Sequence, residues 1–323
     1  MINAYRADGS LGTLSASLGP ADDAQDFVWI DLLNPSAAED AFVEALLGIE
    51  VPTRDELKDI EPSSRLYTVG NAIFMTSSLV WRVESGEPAL TDVAFILAGD
   101  TLLTVRYAEP KAFHLFVTSL GRRSGDLDSG LAVLSRLLET IADRTAEVLE
   151  AAVAGLDELS REIFRNRGKR RPPQFLENRL ADIADQHRLV TKVRDSLGSL
   201  SRMLTFLRNL PALKQDRACA DLCRTVAHDV ETLSEHAAFI AGNISFLLDA
   251  SLGLINVEQN AIIKIFSIAS VVFLPPTLVA SIYGMNFHFM PELDWSLGYP
   301  LALLAMLLSA VIPFFFFRWK GWL

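Results

Sequence analysis

Apolar and polar positions change their spacing twice along this chain, and each of the three resulting patterns predicts a different kind of structure. Over the first 120 residues the apolar runs are short and rich in β-branched and aromatic side chains. Phe27-Val28-Trp29-Ile30, Ala72-Ile73-Phe74-Met75, Val93-Ala94-Phe95-Ile96-Leu97 and Thr101-Leu102-Leu103-Thr104-Val105 read as strands. Gly99-Asp100 between the last two makes a hairpin turn and favours an antiparallel sheet. Ser36 to Leu47 has helical spacing and follows Pro35, which is expected to start a helix there; a second helix is expected from Arg54 to Ile60. Residues 1–120 are therefore an α+β domain.

The pattern then turns helical. It is almost unbroken from Leu127 to Arg167 and resumes from Phe175 to Asn209, with Pro172-Pro173 in the break. Residues 121–214 thus form a long helical hairpin. Pro211 marks a turn, and a third helix starts near Asp216, residues 215–264 serving as a stalk. If that helix is continuous from Ala218 to Tyr283, a rise of 1.5 Å per residue makes it about 100 Å long. Such a rod cannot bury its own face, so neighbouring copies or the preceding hairpin must cover it.

The last change is to uniform apolarity. No charged residue occurs from Ile265 to Pro291 or from Ser296 to Phe317, and each stretch supplies the roughly 20 residues that cross a bilayer. Residues 265–286 and 298–317 are expected to be transmembrane helices, joined by an external loop at 287–297 and followed by a basic tail at 318–323. Lys264, Arg318 and Lys320 flank the spans, whereas the link holds Glu292 and Asp294 and no cation, so both termini should face the cytosol. Trp295, Tyr299, Trp319 and Trp322 fall near the expected water boundaries. Met1 to Arg6 carries no secretory-signal pattern, which leaves the first 260 or so residues in the cytosol.

Composition agrees: 50% of 323 residues are hydrophobic, mean hydropathy is +0.27, and the net charge is -11. No glycine-rich phosphate loop, nucleophile elbow or close His–carboxylate pairing is present, so the chain is not expected to be an enzyme. Arg165, Arg167, Lys169, Arg170 and Arg171 crowd the hairpin tip. Without interleaved aromatics, and on an acidic chain, they read as a solvated tip rather than a nucleic-acid site. Cys219 and Cys223 lie four apart on a helix, with His228 too far along to complete a metal site, and read as small buried apolar groups.

Chemistry enters along the third helix. Positions alternately four and three apart read Asp249, Gly253, Asn256, Asn260, Ile263, Ser267, Ser270, Leu274 and Thr277, seven of the nine polar or small where a coiled coil would place Leu and Ile. Phe266, Ile268, Val271, Val272 and Phe273 on neighbouring faces suit lipid or protein contact. Small residues also allow close helix approach, but the stripe continues through Asn260, Asn256 and Asp249, which argues for a water-filled lumen. Two spans cannot enclose one, so several copies must form a ring. Ile263 and Leu274 would be dewetting collars. Pro275-Pro276 strips two carbonyls of helical donors, tolerable if they line the lumen. At the outer end Gly284 permits close backbone approach, and Asn286 offers a neutral oxygen that can hold a cation through its hydration water, which suits magnesium.

A lone Gly-Met-Asn is a weak signal. The full run is specific: Ile255-Asn256-Val257-Glu258-Gln259-Asn260, Ile262-Ile263-Lys264-Ile265-Phe266-Ser267, Val271 through Ser281, Tyr283-Gly284-Met285-Asn286-Phe287 and Phe289-Met290-Pro291-Glu292-Leu293. It resembles the CorA family of magnesium channels, proteobacterial type, as do Trp29-Ile30-Asp31-Leu32 and Glu56-Leu57-Lys58-Asp59-Ile60-Glu61. The resemblance implies a funnel-shaped homopentamer in a bacterial inner membrane, passing hydrated magnesium, with cobalt or nickel also admitted. It needs no cofactor; magnesium is both cargo and cytosolic regulator. By motif position the selectivity filter is Gly284, Met285 and Asn286. Thr277, Leu274, Ser270, Ser267, Phe266 and Ile263 follow along the pore, with Asn260, Asn256 and Asp249 in its cytosolic continuation; Gly284, Asn286 and Asp249 are the metal contacts. Thr225 falls where some relatives carry a regulatory acid, so that site is either absent or moved to Asp221 or Asp229. In the external loop, His288 stands where close relatives carry Glu, and Asp294 where they carry Lys. A ring of His288 copies would interest zinc, nickel or cobalt, but a lone His in a loop is more often solvated, and little pH effect on flux near neutrality is expected from it. A zinc transporter of the same superfamily and a membrane-anchored scaffold or sensor are the alternatives.

Overall fold

The computed structural model describes residues 1–12, 27–59, 61–120, 127–165, 172, 174–286, 288 and 290–321. Ile60, Arg167, Lys169, Arg170 and Arg171 of the basic tip, Phe287, Phe289, Trp322 and Leu323, and the side chains of Glu292 and Leu293, lie outside the described residues. Two compact units result, Met1–Leu248 and Asp249–Leu323.

The first unit opens with β1 (Ile2–Tyr5), β2 (Leu11–Gly12), β3 (Trp29–Leu33), α1 (Ala37–Leu47), α2 (Pro62–Arg65), β4 (Leu66–Val69), β5 (Ala72–Trp81), β6 (Ala89–Ala98), β7 (Thr101–Arg106) and α3 (Lys111–Leu120). The strands form one sheet in the order β2-β1-β3-β7-β6-β5-β4. The β6–β7 hairpin turns on Gly99, at φ 60°, and Asp100, as expected. The sheet is nevertheless mixed: β3 pairs with β7 in parallel, Trp29 against Leu102 through Leu33 against Arg106. That pairing joins strands some 70 residues apart, which no local turn signal reports.

Alternation along the strands builds two cores. Ile30, Leu32, Phe74, Ala94, Ile96, Leu103 and Val105 are buried with Val43 of α1 and Leu57. The next residues face the other way, so Trp29 meets Phe116 (5.4 Å between ring centroids) and Phe113 (6.4 Å) of α3, and Phe95 meets Phe113. Each such ring contributes about 1.5–3 kcal/mol by burial. α1 starts on a capping box: Ser36 accepts from the Glu39 N–H, and the Glu39 carboxylate accepts from the Ser36 N–H at 2.8 Å. Pro35 therefore precedes the cap rather than opening the helix. The helix expected from Arg54 to Ile60 is only a 3₁₀ turn, Glu56–Lys58. Its entrance is fixed by the Glu56 carboxylate accepting from the Thr53 N–H and hydroxyl, with Pro62 too close behind for a longer helix to form.

α4 (Gly130–Arg165) and α5 (Phe175–Asn209) follow, near the lengths the periodicity predicts. Arg179 of α5 bonds Glu162 of α4 at 2.5 Å, and the Ser199 hydroxyl of α5 accepts from the Ser78 N–H of β5 at 3.0 Å, which sets the helix on the sheet. After α6 (Pro211–Gln215), Asp216 caps α7 (Arg217–Tyr283) by accepting from the Cys219 N–H at 3.0 Å. α7 is one continuous helix, and α8 (Gly298–Trp319) ends the described chain.

Candidate functional site

Within the second unit, α7 divides lengthwise into two faces. Ile268 is only 8% exposed, and Ala269, Val272, Pro275, Pro276 and Val279 are half-buried, forming one shielded stripe. The opposite side is open. Asp249, Asn256, Asn260, Ile263, Ser267, Ser270 and Thr277 are all exposed, with Phe266 at 70% and Leu274 at 69%. At about 100° per residue, Pro275 and Pro276 point well away from Leu274. The carbonyls they strip of donors are those of Val271, itself 41% exposed, and of the half-buried Val272.

Two seam hydroxyls are already engaged: Ser270 donates to the Phe266 carbonyl at 2.9 Å and Thr277 to that of Phe273 at 2.8 Å. This lets a hydroxyl sit at membrane depth without an unmet donor, while its oxygen still accepts from water. α7 stops at Tyr283; the Gly284 N–H reaches the Ala280 carbonyl at 2.9 Å. A Cβ on Gly284 would stand 3.1 Å from that same oxygen, tighter than ordinary contact, so glycine suits the exit. Met285 and Asn286 follow, exposed and outside the helix, then His288, also exposed. A 3₁₀ turn, Pro291–Asp294, carries Asp294 outward and leads to α8. α8 has a shielded stripe of its own, Ala302, Met306, Ser309 and Pro313. Trp295, Tyr299 and Trp319 are exposed near its ends.

α7 and α8 are each long and apolar enough to cross a membrane. Along α7, Asp249 and Gly284 are 35 residues apart, about 50 Å of helix. They cannot share one ion, and among the described residues no three His, Cys, Asp or Glu side chains gather around a metal-sized gap. One chain thus presents single donors at separate levels. Cys219 and Cys223 are buried in the first unit, with Ser135 Oγ 3.4 Å from the Cys223 sulfur. Burial, with the Asp216 carboxylate adding to it, pushes the Cys219 thiol up to about 12, which removes thiolate chemistry at neutral pH. The shielded stripe of α7 was not singled out from sequence, although Ile268, Val272, Pro275 and Val279 repeat at spacings of four and three.

Comparison with known proteins places the chain by family and by fold. The description of CorA-like Mg2+ transporter proteins matches residues 24–319. Magnesium transport protein CorA of Pectobacterium atrosepticum is 36% identical over 329 residues, covering all of both chains. That of Escherichia coli strain K12 is 38% identical over 301 residues, 92% of each. The complete structure of the CorA magnesium transporter from Methanocaldococcus jannaschii superposes with a TM-score of 0.77 at 20% identity, covering 100% of this chain and 99% of that one, a likeness of fold. With a family match over residues 24–319 and relatives above one-third identity, this chain belongs to the CorA-like Mg2+ transporter family.

Proposed function

We propose that copies of this chain close into a ring, five by the family resemblance, that passes hydrated magnesium into the cell. The observation that carries the reading is the exposed seam of α7: polar and small residues at membrane depth, left open along a single chain, and ending at Gly284-Met285-Asn286. Lipid offers the hydroxyl oxygens of such a stripe no donor, and water between copies does. Each copy then contributes one Asn286 carboxamide to the filter and one Leu274 and Ile263 to dry collars below it. Asp249, Asn256 and Asn260 continue the path on the cytosolic side, with Phe266, Ser267, Ser270 and Thr277 between. His288, Glu292 and Asp294 form the outer mouth.

Residues 1–264 are cytosolic in this reading, 265–286 and 298–317 span a bacterial inner membrane, and 287–297 face outside, because Lys264, Arg318 and Lys320 resist translocation. The membrane potential drives entry, supplying about 4.6 kcal/mol for a divalent ion at 100 mV. Cobalt and nickel pass as hydrated ions of the same charge. Closure by cytosolic magnesium falls to Asp221 and Asp229, exposed on α7 either side of Thr225; the Arg224 partner of Asp221, at 2.9 Å, is a weak surface pair and easily displaced.

Indicator-reported magnesium entry into potential-clamped proteoliposomes tests this, with zinc as competitor. Wild type takes up magnesium, Asn286→Ala loses selective uptake, and Leu274→Ala leaks. Normal selective uptake by Asn286→Ala would overturn the filter assignment, and zinc flux without magnesium flux would move the protein to the zinc-transporting alternative.

A further inference from the structure

A hollow of about 260 Å³ opens in the N-terminal unit beside the C-terminal ends of β5 and β7. Leu57, Trp81 and Tyr107 give it apolar walls, and Arg54, Lys58 and Asp92 are its charged lining. None of these residues belongs to α7 or α8.

Arg65 builds the wall. Its Nε donates to the Asp59 carbonyl at 2.6 Å, Nη1 to Ser78 Oγ at 3.1 Å, and Nη2 to Asp92 Oδ1 at 2.7 Å. The segment bearing Leu57 and Lys58 is thereby fixed to β5 and β6 before any ligand arrives, which lowers the ordering cost of binding. Ser78 Oγ donates to the same Asp92 oxygen at 2.6 Å. With Arg65 neutralising Asp92, the two remaining lining charges are cations.

The aromatic walls are set for a flat ring. The Arg54 guanidinium lies 5.3 Å from the Tyr107 ring centre and that of Arg82 5.0 Å from the Trp81 ring. Lys58 is engaged by an exposed i,i+3 pair with Asp55 at 2.7 Å, which a stronger anion displaces at little cost. Two lining cations beside two aromatic rings run against the overall charge of -11. The volume equals roughly eight waters of liquid, room for one planar ring system with any charged tail outside on the rim.

We propose that this hollow binds a nucleotide, its base against Tyr107 and Trp81 with an amino group donating to Asp92, and its phosphates on Arg54 and Lys58. Magnesium chelation cancels part of the phosphate charge, so the metal-free nucleotide is drawn more strongly to the two cations. The site thereby favours the form that accumulates when magnesium is scarce. It is independent of the ring and of transport.

N-methylanthraniloyl-ATP titrated into the full-length protein in detergent tests it. The expected result is saturable fluorescence, competed by ATP and far less by tripolyphosphate or adenosine, with a Kd raised by excess magnesium. Arg54→Ala and Lys58→Ala, both at exposed positions that leave the fold intact, each weaken binding about tenfold. The proposal is overturned by no saturable binding to wild type, by tripolyphosphate competing as well as ATP, by insensitivity to magnesium, or by full affinity in the Arg54→Ala, Lys58→Ala double variant.

Discussion

Arg106 and Asp31 are the most consequential buried charges in the first unit. Asp31 is 2% exposed; Arg106 Nε and Nη2 reach its two oxygens at 3.0 and 2.8 Å, Thr104 adds a bond at 2.8 Å, and Phe113 covers the guanidinium at 4.6 Å. Removing one partner strands a charge in a dry place, whereas removing both does not. Arg106→Ala is expected to cost about 3–5 kcal/mol in denaturant unfolding, and Asp31→Leu with Arg106→Met much less than the sum of the single changes. Additive losses would show the pair to be uncoupled. Cys219 predicts a pH effect. Its thiol is held protonated in the fold, so that contribution is whole below the ordinary thiol value of 9.0 and is lost as pH rises toward about 12. Melting temperature should therefore fall from pH 9 upward, and less steeply in Cys219→Ala; identical slopes would rule the thiol out.

Among the elements, α4 is seated by its first residue. The Gly130 N–H bonds the Asp100 carbonyl at 2.5 Å, and a Cβ there would lie 2.3 Å from the Leu102 nitrogen and 2.5 Å from the Thr101 carbonyl carbon. Backbone cannot yield as a side-chain tip can, so Gly130→Ala should destabilise by about 3 kcal/mol or more, while Gly242→Ala, with open space around it, should be neutral or stabilising in the same unfolding assay. Long periodic elements were legible in sequence: α5 begins and ends at Phe175 and Asn209 as its spacing predicts. Short ones were not. β1, with Asn3 among four residues, and β2, with two, carry too few positions for alternation to register, and they exist because β3 offers an edge. α3 did carry a signal, Pro110 followed by Ala112, Phe113, Phe116 and Leu120 buried on one face, and was overlooked. Side chains of the hollow, from Arg54 to Tyr107, come together only through sheet pairing, which leaves no spacing to read.

For the whole molecule, the polar stripe of α7 was readable because polar residues at regular spacing stand out in an apolar stretch, while the shielded stripe through Ile268 needed the structure to be seen. No metal-holding cluster forms within one chain among the described residues, because each level of α7 offers a single donor. A filter made from separate copies has a genetic signature. In the proposed ring, when wild-type and Asn286→Ala chains are made together, a single altered chain injures the whole assembly it joins, so uptake should fall faster than the altered share rises. A proportional fall would mean that each chain works alone. Gly130→Ala, by contrast, damages the chain before it can join and should behave as recessive. Dominance thus separates residues at the end of α7, which spoil their partners, from residues in the sheet, which spoil only themselves.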